Sequence, residues 1–210
     1  MAEMSMNKAI HGAFRRDLDR FIAALRAFGA GNRARAAQLA AAWENFDGQL
    51  VTHHEGEHAI AWPALEAVGL GPEVTATMDA EHEVMAAALG EARIAMAALS
   101  RTAGADEALA ALAAVEHLKV VTLRHLDHEE AEIEPFYLAK QDTPEIKAMG
   151  KAFGKVSPAK GGQFFAWVLD GASPAERAAV TANVPGPVIA IIGGIFGRSY
   201  RKHVATVWTT

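Results

Sequence analysis

Apolar side chains recur every three to four positions along four long stretches of the chain, the period of one buried helix face. The first stripe runs through Phe14, Leu18, Phe21 and Leu25, and the second through Leu39, Trp43, Phe46, Leu50 and Ile60. The third comprises Met78, Met85, Leu89, Ala92, Met96 and Leu99; the fourth comprises Leu112, Val115, Leu118 and Ile133. Gly and Pro punctuate the chain near 29–32, 69–72, 102–104 and 141–144, and alternating β-branched runs are scarce. The pattern predicts an all-α fold: an up-down-up-down four-helix bundle over residues 5–140, with residues 141–210 as a C-terminal extension of three or four shorter helices. Within that extension "SPAER" reads as a helix start. "NVPGPVIAIIGGIFGRSYRKH" reads as an apolar helix packed on the bundle and ending in a basic turn.

The stripes are interrupted by groups that do not belong on a buried seam. His11 lies on the first, His53 and Glu57 on the second, His82 on the third, and Thr122, His125 and Glu129 on the fourth. Such groups are costly there unless paired or bound to a metal. Their order supplies a common cause. His53 and Glu57 form HxxxE with Pro63 six positions on; His125 and Glu129 form HxxxE with Pro135 six positions on. His11 precedes His53 by 42 positions and His82 precedes His125 by 43, so the chain holds a degenerate repeat of helix pairs. Each pair has one histidine followed by HxxxE. Counting residues from each group to its turn, at about 1.5 Å of rise per residue, brings all six to one height in the bundle.

Composition limits what these residues can hold. There is no cysteine, which removes disulfides, thiolate sites and iron–sulfur clusters and leaves imidazole and carboxylate as ligands. A net charge of -5 argues against nucleic acid. The start "MAEMSMNKAI" lacks a basic run followed by an apolar one, and the longest apolar stretch is too short for a membrane span, so the expected location is the cytoplasm. Within "VTHHEGEHAIAWPAL", His54, Glu55 and His58 also fit the HExxH pattern of zinc proteases. That reading leaves His11, His82, His125 and Glu129 unexplained, and a ferritin-like site would need a second ExxH pair besides Glu55 and His58. His54 and His58 sit about 100° around the helix from the seam and are expected to flank the site or meet solvent. Asp127, His128 and Glu130 are expected outside the ligand set, and His117 and His203 as structural or exposed. Four histidines and two carboxylates suit two bridged irons better than one zinc.

The order H, HxxxE, H, HxxxE, carried by "HHEGEHAIAWPAL", "MDAEHEVM" and "HLDHEEAEIEP", resembles the bacterial hemerythrin-like (HHE cation-binding) family over residues 7 to about 138. The resemblance implies a four-helix bundle around a non-haem di-iron centre with an oxo or hydroxo bridge, held by His11, His53, Glu57, His82, His125 and Glu129. It implies small-molecule partners: dioxygen, hydrogen peroxide or nitric oxide. Activities in such proteins include reaction with these oxidants under oxidative or nitrosative stress, reversible dioxygen carriage or sensing, and iron handling or repair. No motif identifies an electron donor. Two departures stand out. His58 occupies a place where relatives usually carry an acidic residue. The invertebrate oxygen carriers have HxxxH on the third helix, whereas four positions after His82 stands Ala86, one histidine fewer, which predicts an additional open position on the metals. All six expected ligands precede residue 141, so a chain ending near 140 is expected to keep the site.

Overall fold

The computed structural model describes residues 4–209, all of whose regular structure is helical. The chain begins with α1 (Met6–Arg26), whose N-cap Ser5 accepts a hydrogen bond from the Lys8 amide at 3.0 Å. It continues with α2 (Arg33–Gly56), a π-helical turn (Glu57–Ala61) and α3 (Trp62–Ala67), then α4 (Pro72–Thr102) and α5 (Ala105–Lys140). α1 packs beside α2 and α5, and α4 beside the same two, closing an antiparallel four-helix bundle. The connections fall where Gly and Pro predict them. Gly69, at φ 102°, ends α3 in a backbone conformation that favours glycine.

One expectation needs correcting. The second stripe predicts an unbroken helix through Ile60, but α2 stops at Gly56 and the next turn widens, with the Trp62 amide bonding Glu57 O, five residues back. Gly56 is a weak helix former, and the ring of Phe153 occupies the place where its Cβ would stand, at 2.8 Å.

Apolar packing splits into two regions along the bundle. The larger contains Phe14, Phe21, Trp43 and Phe46 in edge-to-face and tilted contact, with the Phe14 and Phe46 centroids 5.9 Å apart. The smaller contains Trp62, Leu65, Met78, Ile133 and Ile146. The histidines and glutamates of the seam lie between them, so the layer that breaks the apolar pattern is sealed at both ends.

The C-terminal region holds more pieces than the sequence predicts: α6 (Pro144–Phe153), α7 (Pro158–Val168), α8 (Pro174–Asn183), α9 (Gly186–Phe196), α10 (Arg198–His203) and a 3-10 turn (Ala205–Trp208). "SPAER" starts α8 with a capping box between Ser173 and Glu176. α9 packs on α7 rather than on the bundle, and the basic turn breaks away from it at Gly197. The close crossing needs glycine. A Cβ on Gly162 would lie 2.5 Å from Phe196 Cβ, and one on Gly197 would lie 2.7 Å from Ala166 Cβ. α7 and α8 carry this layer onto α1. There the Trp167 indole donates to Asp17 at 2.8 Å, and Arg16 and Arg20 pair with Glu176 and Asp170. Trp167 is buried against Phe14, whose other side meets the His53 ring at 5.3 Å. The extension therefore shares the bundle's core through Trp167.

Candidate metal centre

α1 contributes His11, α2 His53 and His54, the π turn Glu57, α4 His82, and α5 His125 and Glu129. The six residues expected from the sequence converge at one level. His11 Nε2 stands 3.2 Å from Glu129 Oε2, and His125 Nε2 stands 3.7 Å from the same oxygen. His53 Nε2 lies 3.1 Å from Glu57 Oε1, and His82 Nε2 lies 3.5 Å from Glu57 Oε2. Glu57 thus faces a histidine with each oxygen. The groups fall into two sets whose ligand atoms lie within 4.8 Å of one another: His11, His53, Glu57 and Glu129, and His54, Glu57, His82 and His125. Glu57 belongs to both, as a bridging carboxylate would.

His54 was not expected there. Its ring stacks on that of His82 at 4.0 Å, so it turns toward the centre rather than to solvent. Ala86 of α4, which stands where the third helix lacks a second histidine, lines the same cavity as His54. His58 goes elsewhere. It is exposed, with Nδ1 2.9 Å from Asp79, because the change from α to π geometry between His54 and His58 breaks the register that HExxH requires. His117 is exposed near Glu91, His203 is exposed on α10, and His128 Nδ1 meets Glu81 at 2.9 Å.

Outer carboxylates hold two of the inner rings by Nδ1, and a third carboxylate stands near another ring beyond hydrogen-bond reach. Glu130 meets His11 at 3.1 Å and Glu81 meets His125 at 2.9 Å, while Asp79 lies 3.8 Å from His82. This arrangement leaves Nε2 directed inward as the coordinating nitrogen. The carboxylates are held in turn: Arg15 pairs with Glu130 at 2.6 Å, and the Trp62 indole donates to Asp79 at 2.9 Å. Asn7 donates to Glu129 Oε1 at 2.8 Å.

Electrostatics divide the two glutamates. Burial, reinforced by Glu129, raises Glu57 well above the carboxylate range. Burial also pushes Glu129 upward, but His11, His125 and His82 together outweigh it and the group ends below its ordinary value. For His11, burial opposes the charge while Glu129 and Glu130 favour it, and the balance raises the imidazole to about 9. Burial, with neighbouring histidines adding to it, lowers His53 and His54 and brings His82 down to about 4. Neutral imidazoles are the form that binds metal.

A direct sign that the site fits a cation is its orphaned atoms. His53 Nε2, His54 Nε2, both Glu57 oxygens and Glu129 Oε2 are buried without an aligned hydrogen-bond partner, although they lie close together. Buried polar atoms left this way normally cost about 1–3 kcal/mol each, so a cluster of them around one point calls for a shared partner. A cation satisfies lone pairs of both kinds.

The centre is reachable. A cavity of about 530 Å³ between α2 and α4 is lined by His54 and His82 at its inner end, with Glu55, His58, Asp79 and Glu83 among its other walls.

A helical bundle with paired histidine and carboxylate clusters on facing helices belongs to the class of cation-binding bundles. The hemerythrin HHE cation binding domain matches residues 5–137, more than half of the chain, and the protein belongs to that family. No curated protein and no solved structure matches it.

Proposed function

We propose that the two clusters hold a pair of iron ions and that the protein is an oxidoreductase acting on peroxide or nitric oxide, in defence against oxidative or nitrosative stress, in the cytoplasm. The observation that supports a pair rather than one ion is Glu57, which faces His53 with one oxygen and His82 with the other and lies in both ligand sets. Iron suits the donors, which are imidazole and carboxylate without thiolate. His11, His53 and Glu129 would hold one ion and His54, His82 and His125 the other, with Glu57 common to both.

The bound irons would supply the electrons exchanged with a small oxidant. The chain supplies the rest. Glu130 and Glu81 orient the rings of His11 and His125. The apolar layers on both sides keep bulk water from the inner face. The cavity beside His54 and His82 admits molecules larger than a diatomic, and its Glu55, Asp79 and Glu83 walls favour neutral molecules such as hydrogen peroxide and nitric oxide over anions. Reduction by repeated turnover calls for an external electron donor.

A second reading, reversible dioxygen carriage or sensing, gains support from His54. Ala86 predicts one histidine fewer than the invertebrate carriers have, but His54 restores the number from another helix, leaving one fewer position for exchange. Metal analysis and stopped-flow spectroscopy separate the readings. Two irons per chain and rapid oxidation of the reduced protein, with peroxide consumed, support the oxidoreductase. An oxygenated band that persists and reverses under vacuum supports the carrier, and one tightly held zinc without iron overturns both.

A further inference from the structure

The charge of the chain is unevenly divided. Residues 1–140 contain 12 Lys and Arg against 21 Asp and Glu, whereas residues 141–210 contain eight against four. After Glu145 the carboxylates are Asp170 and Glu176, and both are turned inward: Asp170 to Arg20 and Tyr200, Glu176 to Arg16 and its own helix cap. Lys151, Lys155, Lys160, Arg198 and Lys202 are exposed and make no ion pair among the described residues. The outer surface of the extension is thus cationic while the bundle beneath it is acidic.

The same surface carries an apolar stripe. On α9, Ile189, Gly193 and Gly197, four apart, form the side that packs inward. Val188, Ile191 and Ile195 lie on the opposite side, at 40%, 61% and 53% exposure, while Phe196, 40% exposed, lies at the crossing with α7. Val156, 54% exposed, extends the patch. Its Cγ2 and that of Ile192 stand 3.7 and 4.0 Å from the point where a Cβ of Gly161 would lie. Lys155 and Lys160 flank this junction in the chain, and Arg198 follows Phe196 by two residues. No single helix is long and apolar enough to cross a membrane, and α8 and α9 meet at 101°.

We propose that this face, the outer side of α9 with Val156 and the flanking cations, docks the protein on an anionic lipid bilayer. Side chains of this size exposed along one helix side, flanked in the chain by unpaired cations while the two carboxylates of this segment are paired, match the interfacial layer of a membrane: apolar residues enter the acyl boundary and Lys and Arg stay at the lipid phosphates. An acidic protein partner would be met by the cations but would not need a continuous stripe of Val and Ile. A second copy would have to bring two cationic faces together. The bent, short helices lie along the surface rather than span it, and the acidic bundle faces away from the lipid.

The test is sedimentation of the full-length, metal-containing protein with vesicles of phosphatidylcholine alone and of phosphatidylcholine with phosphatidylglycerol in equal parts. The expected result is binding to the mixed vesicles at least about tenfold tighter than to the neutral ones, weakened by salt. I191D/I195D should return binding to the neutral-vesicle level. K155E/K160E should weaken it by about twentyfold or more, at about fivefold per cation removed. All four positions are outside the core, so the helical spectrum and the metal content should stay unchanged and exclude misfolding. Absence of binding to the mixed vesicles overturns the proposal, as does equal binding to both kinds or full binding by I191D/I195D. A wild-type dimer that I191D/I195D converts to monomer, without vesicle binding, overturns it in favour of a second copy.

Discussion

The two halves of the repeat have the same residues in the same order and different local structure. In α5, His125 and Glu129 lie on one continuous α-helix that passes through Pro135. In the first half, His53 lies in the last turn of α2 and Glu57 opens a π turn before Pro63. A proline six residues after the glutamate therefore does not dictate the turn. Among the positions that differ between the halves is the one before each glutamate, Gly56 in one and His128 in the other, with Phe153 packed into the space that Gly56 leaves. The electrostatics differ in the same sense. Glu129 faces His11 and accepts from Asn7, and is held below its ordinary value; Glu57 has no aligned partner and is held above it. The fold partners one oxygen of Glu129 and neither oxygen of Glu57.

Paired substitutions break this comparison most sharply at the metal. Glu57→Gln removes a group shared by both clusters and should abolish metal loading, whereas Glu129→Gln removes a group from one cluster and should retain about half of the metal. Metal analysis of the two variants checks this, and equal losses would make the glutamates equivalent. The metal-free proteins should rank in the opposite order. Burial already disfavours the charge of Glu57 there, so Glu57→Gln should change stability by less than about 1 kcal/mol. Glu129→Gln leaves His11 without its buried counter-charge and should cost about 3 kcal/mol, read by denaturant unfolding.

A smaller contrast separates the adjacent histidines. His54→Ala should lower metal affinity by at least about tenfold, while His58→Ala, which touches only the rim, should leave it within a factor of about two. If both variants load normally, His54 is packing and not ligand.

Titration sharpens the contrast between metal-free and metal-loaded states. His11 is raised to about 9 from 6.5, so its contribution to the metal-free fold is complete below about pH 6.5 and is lost as pH rises through about 9. Metal needs the same nitrogen without its proton, so affinity should rise over the same interval and loading should release protons. Calorimetry in buffers of different ionisation enthalpy counts them, and loading without proton release would contradict the assignment. The smallest effect belongs to the seam between bundle and extension. Burial raises Asp17 to about 6, against the Trp167 and Arg20 bonds that favour its charge. Its raised value contributes stability below about pH 3.8 that is lost as pH rises through about 6. Asp17→Asn should flatten thermal stability over that interval while keeping the Trp167 bond, and an unchanged pH profile would show that Asp17 stays ionised.

The helix stripes, the turn positions and the convergence of His11, His53, Glu57, His82, His125 and Glu129 were legible in the sequence because helical periodicity and rise are local properties that spacing reports directly. His54 was not legible, because its inward direction shows only in its stacking on His82 of another helix, and neither was the π turn, where Phe153 of α6 packs against Gly56. The same holds for Glu81 and Asp79, whose role exists only where α4 meets α5 and the π turn, and for Trp167, whose place against Phe14 binds the extension to the core. Sequence by itself determined which residues share a face and a height. Tertiary structure alone decided which neighbours fill the space around them, and with it which carboxylate is charged, because burial and nearby charge belong to the assembled interior and not to the chain.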